Sequence, residues 1–96
     1  MSTSLAERPQ GPSELDAARA MLAWFRGGNG NATTFDKKWF ARVIDEGGHV
    51  GISGYYDQVS AGLSGEDVVN ILLASGDLEE VKFVSDGFTY LRVVQQ

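Results

Sequence analysis

The chain has no cysteine, two prolines and a single histidine in 96 residues. Without cysteine there is no disulfide, no thiolate nucleophile and no Cys-ligated zinc. One histidine, His49, leaves little material for a histidine-based metal site or catalytic pair. No apolar run approaches the roughly 20 residues of a membrane-spanning helix. The N-terminal residues lack the basic and apolar stretches of a secretory leader, so the sequence reading places the protein in the cytoplasm. Basic residues are also scarce, with 8 Lys and Arg against 13 Asp and Glu and a net charge of −5. That balance disfavours non-specific binding to nucleic acid or to an anionic membrane.

What remains is enough for one small domain with one core. Residues 1–11 are polar, aperiodic and interrupted by Pro9, which predicts a disordered arm. Residues 12–96 form the predicted domain. Ser13 is a capping residue, and Leu15, Ala18, Met21, Leu22 and Phe25 recur at helical spacing until Gly27-Gly28. Trp24 lies at the edge of that face. A second helix is expected from Thr33 or Thr34, with Phe35, Trp39, Phe40, Val43 and Ile44 as a broad apolar stripe and Trp39 in the core. His49–Ser53 reads as a short strand and Tyr55–Ala61 as a short helix. After Gly62-Leu63, Ser64 and Asp67 have the spacing of a capping box. The helix they start turns Val68, Ile71 and Leu72 inward, and Glu66, Asp67, Asn70 and Ala74 outward. Gly76 ends it. Asp86-Gly87 then predicts a two-residue hairpin turn. This turn sets Ser85 opposite Phe88, Phe83 opposite Tyr90 and Val81 opposite Arg92. One face carries Val81, Phe83, Phe88 and Tyr90, the other Val84, Leu91 and Val93, and partial cover is expected on both.

From about residue 35 to 94 this order resembles the winged helix-turn-helix superfamily. Gly62-Leu63-Ser64 corresponds to the turn between the two motif helices, and Val68 and Ile71 to buried aliphatics of the second. Gln58 departs from the pattern, which has a small residue at that place. The resemblance implies a small α+β domain of N-terminal helices, a short strand, a helix-turn-helix and a C-terminal hairpin. It also implies a DNA-binding regulator. The charges argue the other way: residues 64–80 hold Glu66, Asp67, Asp77, Glu79 and Glu80 and no Lys or Arg, where a DNA reader needs cations against phosphate.

No catalytic constellation stands out. His49 reads as an exposed loop histidine, and Gly27 to Asn31 lacks the Gly-Lys-Ser/Thr ending of a phosphate loop. The acids lack the spacing of a calcium loop, so neither metal nor cofactor is expected. Lys37, Lys38 and Arg42 read as a solvated helix face. Tyr55 and Tyr56 cannot both point inward from a regular helix, and exposed aromatics are enriched at interfaces. The sequence therefore points to a non-enzymatic protein-interaction module. It presents Glu66, Asp67, Asn70, Asp77, Glu79, Glu80, Tyr55 and Tyr56 to a protein partner with a basic surface. A small inhibitor from a phage or mobile element, or an adaptor domain, fits that description. The alternative is a winged-helix transcriptional regulator.

Overall fold

The computed structural model describes residues 14–48, 62–83 and 87–94. The arm at residues 1–11, the strand expected at His49–Ser53, the helix expected at Tyr55–Ala61, and Tyr55, Tyr56 and Asp86 themselves lie outside the described residues. Those described form a small α+β domain of three helices and a three-stranded antiparallel sheet.

Helix α1, Glu14–Gly27, buries Ala17, Ala18, Met21, Leu22 and Phe25. These positions lie three, four and seven apart and so share one helical face. Strand β1, Thr34–Asp36, follows. Helix α2, Lys37–Val43, starts directly from it and widens into a π-helical turn at Ile44–Gly48. The second helix thus begins later than the sequence suggested. Asp36 is extended, with φ −67° and ψ 133°, and its carboxylate accepts the Trp39 N–H as an N-cap. Thr34 and Phe35 are therefore strand, and among the described residues a short strand lies between α1 and α2.

Helix α3, Gly65–Ser75, forms the expected capping box: the Ser64 hydroxyl accepts the Asp67 N–H, and the Asp67 carboxylate accepts the Ser64 N–H. It ends in a left-handed turn at Gly76, φ 87°, where Asp77 N–H reaches the Leu72 carbonyl, a conformation that glycine adopts without steric cost. Its buried residues are Gly65, Val68, Val69 and Leu72, so Val69 joins the core and Ile71 sits at its edge.

Strands β2, Leu78–Lys82, and β3, Thr89–Val93, form the hairpin, and β1 adds to β3 to give the order β1-β3-β2. Val81 faces Tyr90 and Glu79 faces Arg92. This register is offset by two residues from the one that Asp86-Gly87 suggested. A two-residue turn does not fit it, because the Gly87 N–H instead closes back on the Phe83 carbonyl. Since side chains alternate with period two, a two-residue slip keeps each on its expected face and changes only its partner.

The inner face of the sheet sets Phe35, Leu78 and Leu91 against the helices, in one core with Phe40, Ile44, Val68 and Leu72. Phe25 is its hub, with ring centroids 4.8 Å from Phe35, 4.8 Å from Phe40 and 5.1 Å from Trp39. Edge-on aromatic pairs of this kind contribute about 0.5–1.5 kcal/mol beyond their burial. Trp39 touches the hub but is 39% exposed. It caps the core at the surface and is not enclosed within it.

Helices α2 and α3 meet at their backbones. A Cβ built on Gly65 would lie 1.9 Å from the Ala41 carbonyl oxygen, so only glycine permits this approach. The Gly65 N–H also donates to Asp45 Oδ1 at 2.6 Å. These two contacts fix where α3 begins.

Candidate interaction surface

The outward face of α3 presents Glu66, Asp67, Asn70 and Ala74, all exposed. The hydrogen bond from Gly65 brings the Asp45 carboxylate to the same helix start, and Glu46, its neighbour in sequence, is exposed. Carboxylates are favourable there, because the first turn of a helix carries unsatisfied N–H groups and the positive end of its dipole. At their own helix end Asp45 and Glu46 are misplaced, since the end of α2 carries the negative pole. That local mismatch was the sequence signal that Asp45 serves another element.

The remaining acids are distributed differently. Asp77 lies in the turn after α3 and pairs with Arg19 of α1 at 2.9 Å. The Ser75 hydroxyl, followed by the Arg19 guanidinium, holds its carboxyl below the usual aspartate range. Glu79 pairs with Arg92 across the hairpin. Glu80 pairs with Lys37, whose ammonium holds its carboxyl below the usual glutamate range. Strand alternation sends Glu79 and Glu80 to opposite faces of the sheet. The structure thus gathers Glu66, Asp67 and Asn70 on one helix face, and gives Asp77, Glu79 and Glu80 a cation each. Surface pairs like these contribute about 0–1 kcal/mol; they remove free charge more than they add stability.

The outer face of the sheet is apolar towards the hairpin tip. Val81 and Tyr90 are half-buried there, and Phe83 and Phe88 are 45% and 56% exposed. The Phe83 and Tyr90 rings meet edge-on at 5.1 Å. The cover on this side is partial, as the sequence suggested. Beside it is a groove of about 230 Å³ lined by Asp36, Lys37, Lys38, Gly87, Phe88 and Thr89. Lys38, Arg42 and Lys82 make no ion pair among the described residues, so the positive charge lies towards α2 and the hairpin while the start of α3 is negative.

Among the described residues no three His, Cys, Asp or Glu side chains converge as metal ligands, and no helix is long and apolar enough to cross a membrane. Compared with known proteins, the chain matches no family model, and no curated protein and no solved structure shows significant similarity to it.

Proposed function

We propose that this chain is a non-enzymatic protein-binding module that docks the acidic start of α3 on a basic surface of another protein. The observation that carries the proposal is the composition of that helix face. Glu66, Asp67 and Asn70 are exposed, the Asp45 carboxylate accepts the first N–H of the helix, and α3 itself contains no cation. A partner whose groove normally holds nucleic acid has the complementary charge. Opposite charges facing across an interface mainly raise the association rate, an effect that salt screens.

The test requires a partner recovered by affinity capture and mass spectrometry. Reversing Glu46 and Glu66 to Lys is then expected to slow association and weaken its salt dependence while the melting temperature stays within a few degrees. Neither carboxylate makes a hydrogen bond that the fold needs among the described residues. Asp67 is the poorer choice, because its carboxylate completes the capping box. Unchanged association kinetics in the double variant would remove α3 from the interface.

A second reading has its own support. The order α1, β1, α2, α3, β2, β3 with sheet order β1-β3-β2 is similar to that of winged helix-turn-helix domains, in which the helix before the hairpin reads DNA. On this reading Lys38 and Lys82 by the hairpin would contact phosphate. Fluorescence anisotropy with random duplex DNA separates the two readings. No binding is expected at physiological salt, whereas tight binding that falls steeply with salt would establish the regulator.

A further inference from the structure

Strand β2 is an edge of the sheet: among the described residues it pairs only with β3. Its ladder fixes which backbone groups face outward. The Val94 N–H bonds the Asp77 carbonyl, so in the antiparallel pattern the residues at 79 and 81 turn their backbone groups to β3. Leu78, Glu80 and Lys82 therefore turn theirs to the open edge. A row of outward N–H and C=O groups is a template for another strand.

We propose that this edge pairs with the same edge of a second copy, antiparallel about a two-fold axis at Val81. The side chains select the register. Pairing that joins the two sheets edge to edge must set even-numbered residues opposite even-numbered ones, because theirs are the outward backbone groups. Centring on Glu80 opposes two carboxylates, and centring on Lys82 opposes two ammonium groups. Centring on Val81 sets Glu80 opposite Lys82 of the partner, twice, with Val81 against Val81 between them. Both charges are exposed in the monomer, and Lys82 makes no ion pair among the described residues. Lys37 already holds Glu80 ionised on the same face, so Glu80 meets the partner's Lys82 as a carboxylate. On the outer face Val81 of one copy would meet Val81 of the other, and each Phe83 would lie opposite the other copy's Glu79 and diagonal to its Val81. The charges that discourage pairing with an arbitrary strand thus complement this one.

Sedimentation equilibrium of the full chain across micromolar to submillimolar concentration tests the proposal. The wild-type chain is expected to dimerise. Lys82→Glu and Glu80→Lys are each expected to weaken dimerisation about tenfold or more, because both cross-strand pairs become repulsive. An equimolar mixture of the two variants is expected to recover the dimer, since each then faces its opposite. A wild-type chain that stays monomeric throughout, single reversals that dimerise unchanged, or a mixture that stays monomeric would overturn it. Cross-linking tests the register without charge changes. In a chain free of cysteine, Val81→Cys falls at a non-hydrogen-bonded pair, where close Cα approach suits a disulfide. Air oxidation is expected to link it into dimers much faster than Glu79→Cys. Equal rates would refute the register.

Discussion

Replacing Gly65 with alanine tests the contact that joins α2 to α3. The new methyl would meet the Ala41 carbonyl oxygen at 1.9 Å, its carbon at 2.6 Å and its Cα at 2.8 Å. All three are backbone atoms of a helix, so no side-chain rotation relieves them, and the two helices must separate by about an ångström. Overpacking of this kind costs about 1–3 kcal/mol. Separation also strains the hydrogen bond from Gly65 N–H to the Asp45 carboxylate, of the charged class worth about 1.5–3 kcal/mol. Alanine returns at most about 1 kcal/mol through its better helix propensity. The expected net loss is about 2–4 kcal/mol, a fall in melting temperature of about 10–25 °C for a domain of this size. Urea titration followed by tryptophan fluorescence measures it. Gly27→Ala is the control: nothing lies within 4 Å of its added Cβ, so the same change is expected to be neutral or mildly stabilising. If Gly65→Ala costs no more than Gly27→Ala, the close crossing of α2 and α3 does not exist in solution.

Leu72, fully buried between α3 and the sheet, should lose about 2–5 kcal/mol on truncation to alanine; a loss well under 1 kcal/mol in denaturant titration would place it outside the core. Ser64→Ala removes one arm of the capping box and should cost about 0.5–2 kcal/mol, whereas Ser75→Ala, at the other helix end, should cost less in the same titration. The pairing of Asp77 with Arg19 should contribute stability that depends on pH. The native carboxyl is held below its unfolded value, so the contribution is complete above the unfolded aspartate value of about 3.9 and is lost as pH falls through the lower native value. The stability difference between the wild type and Arg19→Ala, small at neutral pH, should therefore shrink as pH falls below the unfolded aspartate value; a difference that grows on acidification would contradict the assigned direction.

The helices were legible because their signals are local. α1 shows an apolar face ending in glycine, and α3 has Ser64 and Asp67 at capping-box spacing. β1 was not legible. Thr34, Phe35 and Asp36 are too few to show alternation, and they become a strand only by pairing with residues 90–92 of β3. The hairpin was legible as a hairpin, and Val81, Phe83 and Tyr90 were assigned correctly to one face, while its cross-strand partners were displaced by the longer connection. Trp39 shows the limit of periodicity, which places a residue on the apolar side without saying how far that side is enclosed. The acidic stretch was legible as composition only. Arg19 and Lys37 lie 58 and 43 residues from Asp77 and Glu80, a separation at which no sequence pattern reveals neutralisation. The converse holds for Asp45, whose role rests on one backbone N–H at Gly65.

The seat of α3 is made by the Gly65 backbone, which touches the Ala41 backbone and donates its N–H to the Asp45 carboxylate. No side chain on the outward face of the helix takes part in it. Glu66, Asn70 and Ala74 can therefore vary while α3 keeps its place on α2, so the chemistry this face offers a partner is free to change without the fold changing with it.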